Sequence, residues 1–376
     1  MDRIQNRKLQ NVSRPTVNSA KPASKNHRVV SALLDWFSLN ARDLPWRNSR
    51  DPYAIWISEI MLQQTQVKTV IPYWQRWMRE LPTVQQLAQA PPEKYLKLWE
   101  GLGYYTRARN LQKAAQQICD DHDGKFPDNY DTILALPGIG RYTAGAICSI
   151  AYNQPTPILD GNVMRVLTRV FGIEGNPRDK GPNARLWQLA EQLVGQASRR
   201  AHPEACSHFN QSVMELGALV CTPRQPKCPT CPLQKNCVAL REKKIDALPD
   251  LTKRAQTTKR NFVAFVVEKR GRFLVQQRPW HVVNARLWEF PNHEIGDGKQ
   301  TALLPGMPKR APLCTIKHSI TRYRITLAVY RATPALWKGS GGQWLRLADM
   351  QALAFSSAHR QILELIAGLA AKPRKD

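Results

Sequence analysis

The sequence predicts a mainly α N-terminal domain and an α+β C-terminal domain, joined by a charged linker. Three observations predict it. From Val29 to about Leu240 the apolar residues recur at helical spacing, with short connections rich in Pro, Gly and Asp and no stretch that alternates like a strand. From about residue 259 the pattern switches to alternation, in NFVAFVVEKRGRFLVQQR and again in ITRYRITLAVYRA. Four of the eight cysteines crowd into residues 221–237, at the end of the helical part.

In chain order, residues 1–28 carry seven basic residues against the single acid Asp2, contain Pro15 and Pro22, and lack apolar periodicity. They read as a disordered basic tail, with a transit peptide left open. The domain at 29–240 then has apolar faces at 29–37, 55–70, 73–78, 84–87, 95–99, 111–118, 133–136, 143–151, 163–170, 186–193 and 213–220, about ten helices. Residues 241–258 are charged and weakly periodic and read as a linker. The second domain, 259–370, turns at Lys269-Arg270-Gly271-Arg272 and closes with an amphipathic helix at 352–369.

Composition narrows the function. The chain has 376 residues, and 55 basic against 29 acidic residues give a formal charge of +26, which predicts a polyanionic partner, nucleic acid first. No apolar run approaches the roughly 20 residues that span a membrane, and no secretory signal opens the chain. The cysteines suit a reduced compartment and one metal site rather than a disulfide framework. The expected location is the cytoplasm, at the nucleoid.

Four features carry chemistry. Leu136-Pro137-Gly138-Ile139-Gly140 is a glycine-rich hairpin that leads into a helix near Arg141 or Tyr142. Glycines permit close backbone approach, and unpaired amides at a helix start favour an anion such as a DNA phosphate. Cys221, Cys228, Cys231 and Cys237 are spaced C-x6-C-x2-C-x5-C. That compact loop suits a [4Fe–4S] cluster better than zinc, which stays open, and it carries Arg224, Lys227 and Lys235. Glu59 sits among Trp56, Ile60, Met61 and Leu62, surroundings that raise a carboxyl pKa toward neutrality. Asp160, before Gly161-Asn162-Val163, reads as a helix N-cap or a functional acid.

Taken together, hairpin, acid and cluster resemble the helix-hairpin-helix DNA glycosylases with an iron–sulfur cluster, over about residues 29–240. Endonuclease III and the MutY-type adenine glycosylases belong to that group. Lyase-active members carry a lysine nucleophile where this chain has Tyr142, which cannot form a Schiff base, so the chain resembles the monofunctional adenine branch. The block from Trp56 to Val67 is similar to the family's catalytic-glutamate helix. The resemblance implies that Glu59 protonates the adenine and helps activate water. It implies that Asp160 stabilises the cationic sugar, through a transient adduct, with Tyr142 and Asn162 in support. It gives Gln64 and Tyr104, with Pro137, Gly138, Ile139 and Gly140, to the DNA, and Trp46, Arg47 and Gln211 to the pocket of the extruded adenine, with a buried Tyr104 and a surface-cation Arg47 as the alternative readings.

In the second domain, Arg278-Pro279 and Leu287-Trp288-Glu289-Phe290-Pro291 resemble the Nudix-related C-terminal domain of the same family. The glutamate-rich helix of the Nudix metal box does not follow in 292–297, so pyrophosphohydrolase activity is rejected. The family's Phe-Ser-His loop for 8-oxoguanine is replaced by Ile320, Thr321 and Arg322, with ordinary strand residues as the alternative reading. The implied partner is duplex DNA with A:8-oxoG or A:G mispairs, bound by a monomer. An endonuclease III-like enzyme for damaged pyrimidines and a non-catalytic DNA-binding module are the rivals. Tyr142 and the second domain argue against the first, Glu59 and Asp160 against the second.

Overall fold

The structure, a computed structural model, describes residues 24–251, 257–295, 311–320, 322–334 and 341–370. The helical part opens with α1 (Lys25–Asn40), α2 (Pro52–Leu62), α3 (Val67–Glu80), α4 (Val84–Gln89), α5 (Pro92–Trp99), α6 (Thr106–Asp121), α7 (Tyr130–Leu134) and α8 (Arg141–Tyr152). It continues through α9 (Gly161–Phe171), α10 (Lys180–Ser198), α11 (Ala205–Leu219) and the short α12 (Val238–Arg241). Two apolar cores divide it into lobes. One gathers residues between Leu44 and Cys148, the other joins α1 to α9, α10 and α11. No helix among the described residues is long and apolar enough to cross a membrane.

The chain begins helical earlier than the sequence reading placed it. Lys25–Arg28 form the first turn of α1, because the Ser24 side chain accepts from the His27 amide. The remainder of the predicted tail, 1–23, lies outside the described residues. The apolar run at 55–70 is not one helix. It breaks at residues 63–66, where the Arg107 guanidinium takes the carbonyls of Ile60 (2.7 Å), Met61 (3.2 Å) and Gln63 (2.6 Å) that a continuing helix would need, and Gln64 turns to a φ of 59°.

α2 and α8 bring chemistry to the junction of the lobes. Asp51 caps α2 by accepting from the Tyr53 amide, Pro52 stands in its first turn, and its residues from Tyr53 to Met61 are all buried. A helix apolar all round belongs in a core, so its one acid, Glu59, goes inside with it. α8 crosses the other lobe closely at Gly145, where a Cβ would lie 2.1 Å from the Pro157 carbonyl oxygen.

The C-terminal part is α+β, as predicted. Its sheet contains β1 (Thr258–Lys269), β2 (Arg272–Gln277), β3 (Trp288–Glu289), β4 (Asn292–Ile295), β5 (Cys314–Ile320), β6 (Tyr323–Ala332) and β7 (Gln343–Arg346). The order is β3-β2-β1-β6-β5, with β4 on β1 and β7 on β2, and β1 runs parallel to β6. Two helices follow, α13 (Leu347–Gln351) and α14 (Ser357–Ala370), so the predicted closing helix starts later, after a turn that pairs Phe355 with Trp288. Ile362, Leu363 and Ile366 of α14 pack into the sheet's core. Leu287 and Ala354 join the core of the first helical lobe, which docks the two parts together.

The linker is partly held. Leu248 is buried and its carbonyl accepts from Arg169 Nε at 2.8 Å, because a buried guanidinium must find acceptors. Residues 252–256 lie outside the described residues, as do Thr321 and 296–310; of the stretch 292–297 read as lacking the Nudix helix, 292–295 form β4 and the rest lies outside the described residues.

Candidate active site

A cavity of about 630 Å³ opens between the lobes, lined by Trp46, Arg47, Glu59, Tyr142, Asp160, Asn162 and Gln211 among others. All four residues expected to do chemistry and all three expected to line a base pocket therefore meet in one place. Glu59 comes from α2, Tyr142 from the first turn of α8, and Asp160 and Asn162 from the start of α9.

Glu59 is 5% exposed, and Tyr142 donates its hydroxyl proton to Glu59 Oε2 at 2.6 Å. Burial pushes the Glu59 carboxyl up to about 7, with the Tyr142 hydrogen bond acting against it and the nearby Asp160 charge adding to it. Burial, followed by the Glu59 charge, holds the Tyr142 phenol neutral. Asp160 caps α9, one of the two parts the sequence left open, and also lines the cavity. Its Oδ1 accepts from the Asn162 amide (3.0 Å) and the Val163 amide (2.7 Å), which caps α9, and its Oδ2 accepts from Asn162 Nδ2 at 2.9 Å. Burial raises its pKa, and these three bonds to the charged form oppose the rise.

The opposite wall is built on a carboxylate that sequence reasoning missed. Glu215 of α11 is 1% exposed and accepts from Arg42 Nε and Nη2, each at 2.7 Å, and from Arg47 Nη2 at 3.0 Å. Burial alone would raise its pKa, but the bonds from the two arginines outweigh it and the net shift is down. Arg47, read as pocket lining or surface cation, is a pocket wall: its Nε donates to Gln211 Oε1 at 3.0 Å. Gln211 in turn donates to Ser207 Oγ at 3.0 Å. Trp46 is buried edge-on against Trp74. No local signal marks Arg42, since its partner is 173 residues away.

A second cavity, of about 240 Å³, brings Gln64 and Tyr104 together with Pro137 and Gly138 of the hairpin. Tyr104 is 45% exposed, which overturns the buried reading. Gln64 and Tyr104 both have positive φ, 59° and 45°, an uncommon backbone state for such residues. Gly138 has a φ of 79°, and a Cβ there would lie 2.7 Å from the Asn110 side chain, so only glycine fits. Ile139 is buried, and Gly140 caps α8 without a side-chain bond, leaving its first amides for an external anion.

The four clustered cysteines line one apolar cavity with Val166, Leu216, Val220 and Leu240. Among the described residues no three His, Cys, Asp or Glu side chains converge closely enough for a single metal ion. Burial pushes the Cys231 thiol up to about 11. Arg224, Lys227 and Lys235 are exposed on the same loop. Arg165 links this loop to the site, donating from Nε to the Cys221 carbonyl (2.7 Å) and from Nη2 to Asn162 Oδ1 (2.8 Å).

Ile320 and Arg322 stand at the tip of the β5–β6 hairpin, where Ile320 pairs with Tyr323. This overturns the reading of Arg322 as an ordinary strand residue: it lies in the turn, exposed, with its Nη2 3.0 Å from the Tyr323 hydroxyl.

Comparison with known proteins matches both parts of the chain. Residues 57–192 match the HhH-GPD superfamily of base excision DNA repair proteins, and residues 262–365 match the NUDIX domain. The adenine DNA glycosylase of Rattus norvegicus is 37% identical over 89% of this chain and 77% of its own length. That of Homo sapiens is 35% identical over 90% of this chain and 73% of its own. A thermostable thymine-DNA glycosylase superimposes with a TM-score of 0.52 at 32% identity, over 58% of this chain and 97% of that one. The chain belongs to the adenine DNA glycosylases, hydrolases of base excision repair.

Proposed function

We propose that this adenine DNA glycosylase draws adenine into the cavity between its lobes and breaks the N-glycosidic bond without cutting the strand, acting on adenine opposite 8-oxoguanine and opposite guanine. The observation that carries the reading is Glu59, buried beneath the pocket, held by Tyr142 and poised near pH 7. A carboxylic acid still protonated at neutral pH is a proton donor for a poor leaving group.

Glu59 gives its proton to a ring nitrogen of adenine as the bond from C1′ to the base nitrogen breaks and its electron pair leaves with the base. Positive charge develops on the sugar, where the Asp160 carboxylate, whose charged form is favoured by bonds from Asn162 and the α9 amides, stabilises it. Glu59, now a carboxylate, takes a proton from the water that adds to C1′, which regenerates the acid and leaves free adenine and an abasic sugar. Tyr142 has no amine with which to hold the sugar or promote strand cleavage. Arg47, Gln211 and Trp46 hold the base, while Gln64 and Tyr104 fill the gap it leaves.

The Cys221, Cys228, Cys231 and Cys237 thiols would hold a [4Fe–4S] cluster. Four thiols lining one apolar cavity from a single compact loop fit such a cluster. When bound, the cluster fixes a basic loop for phosphate contact. The hairpin tip with Ile320 and Arg322 reads the base opposite, with Arg322 as hydrogen-bond donor and Ile320 as apolar wedge.

The test is single-turnover base release from duplexes with A opposite 8-oxoguanine, G and T, analysed with and without alkali. The expected result is adenine release from the first two, with strand breakage only after alkali. Breakage without alkali overturns the monofunctional reading, and equal rates on the first two overturn lesion reading by the hairpin. Tight binding with no release from any duplex overturns the proposed chemistry.

A further inference from the structure

The C-terminal domain is docked on the helical domain through a buried carboxylate, and that carboxylate begins the loop that carries Tyr104. Glu100 Oε1 accepts from the Phe355 amide and from Arg360 Nε, each at 2.8 Å. Its Oε2 accepts from Arg360 Nη2 at 2.8 Å and from Lys97 Nζ at 2.7 Å. The Arg360 and Glu100 side chains are only 15% and 14% exposed. Both cations also bond the Leu353 carbonyl, Lys97 at 3.0 Å and Arg360 at 2.7 Å. The Tyr105 hydroxyl, which accepts from the Gly101 amide, donates to the Phe355 carbonyl, each at 3.3 Å.

The loop between these anchors has little freedom. The Glu100 carbonyl accepts from the Tyr73 hydroxyl at 2.7 Å, and a Cβ on Gly101 would meet that hydroxyl at 2.2 Å. The Gly103 carbonyl accepts from Trp99 Nε1 (3.0 Å) and Arg107 Nη2 (3.2 Å). Arg107 is the residue that ends α2 and exposes Gln64. Contacts thus run from α14 to Glu100, along the chain to Gly103, and through Arg107, whose amide donates to the Tyr104 carbonyl at 2.9 Å, to the end of the Glu59 helix. A multiply bonded, desolvated ion pair has one good geometry, and losing a partner leaves a buried charge unpaired. Undocking the C-terminal domain would strip Glu100 of the Phe355 amide and Arg360 and Tyr105 of the Phe355 carbonyl, on either side of the loop that carries Tyr104.

We propose that Glu100 is a positioning residue that, through Arg360 and the Phe355 amide, makes docking of the C-terminal domain a condition for holding Tyr104 in duplex-filling geometry. The proposal rests on the reading of Tyr104 given above. It predicts that the domain carrying the hairpin tip and the loop filling the duplex act on DNA as one unit.

A double-variant cycle in the full chain tests it. Arg360→Ala, Arg360→Lys, Tyr104→Ala and the double Arg360→Ala/Tyr104→Ala are compared in single-turnover adenine release from the A:8-oxoG duplex. Each is also compared by the fluorescence of 2-aminopurine placed beside the target adenine. Arg360→Ala should slow release about tenfold and abolish the fluorescence change that depends on Tyr104, Arg360→Lys should restore most of both, and the double variant should be no slower than Tyr104→Ala. Losses that multiply in the double variant, or a fluorescence change that survives Arg360→Ala, overturn the proposal. The fluorescence needs no catalysis, so an enzyme that releases no adenine sinks the proposed chemistry while the coupling is still decided. Should Arg360→Ala unfold, Glu100→Gln, which keeps the shape and an acceptor for the Phe355 amide, runs the same cycle.

Discussion

In the base pocket Glu59 is 5% exposed and meets Tyr142 at 2.6 Å, while at the β5–β6 turn Arg322 lies in the open beside its own neighbour Tyr323. The pocket is assembled from α2, α8, α9 and α11 and the turn at Trp46 and Arg47; the Arg322 turn belongs to one hairpin. A group that must hold a proton at neutral pH needs low dielectric around it, which only several packed elements supply. A group that donates to a base edge needs reach instead, and an exposed turn supplies that. Glu59 and Asp160 are held in a buried network, Glu59 by Tyr142 and Asp160 by Asn162 and the α9 amides, whereas Arg322 stands exposed in a turn.

Four measurements break or sharpen the contrast. The largest effect belongs to Glu59→Gln, which should slow adenine release by about 10³-fold while duplex affinity changes only a few-fold. A comparable loss of binding would mean that the pocket acid is a structural group. The same variant should be more stable than the parent at alkaline pH. A carboxyl whose folded pKa, about 7, stands above its ordinary 4.5 binds its proton more tightly in the folded state, so ionisation costs stability above pH 4.5 and the cost grows until the pH passes 7. Denaturant unfolding at pH 8 should favour Glu59→Gln by on the order of 2–3 kcal/mol, and at pH 4 the two proteins should converge. Equal stability at both pH values would show that Glu59 is not desolvated.

The pH profile comes next. Single-turnover release should fall about tenfold per unit above a midpoint at or above pH 7, as Glu59 loses the proton it must donate. A flat profile from pH 6 to 9 would remove Glu59 as the donor. The smallest effect is expected at the tip: Arg322→Ala should lower the rate ratio between A:8-oxoG and A:G by about tenfold or less and leave stability within roughly 0.5 kcal/mol. An unchanged ratio would take the lesion-reading role away from Arg322.

The legibility of the molecule follows the range of its interactions. α8 and the glycine-rich turn before it were readable because apolar spacing and glycine are local signals, and Asp160 as an N-cap is equally local. The break at 63–66 was not readable, because it is imposed by Arg107, more than forty residues along the chain. α12 and the short strands β3, β4 and β7 were missed because two to four residues carry no period of their own. Glu215 gave no signal either: a glutamate in an amphipathic helix reads as solvent-facing unless the arginines that neutralise it are known to be near.

The sequence by itself determined the chemical inventory: an acid in an apolar helix, a tyrosine just after a glycine-rich turn, four thiols in one loop, a basic chain and two domains of different class. Tertiary structure alone decided which charges meet. Arg42 with Glu215 and Arg360 with Glu100 join residues 173 and 260 positions apart. It also decided the acidity of Glu59, since a pKa depends on how much water and charge surrounds a group, and packing between lobes sets both.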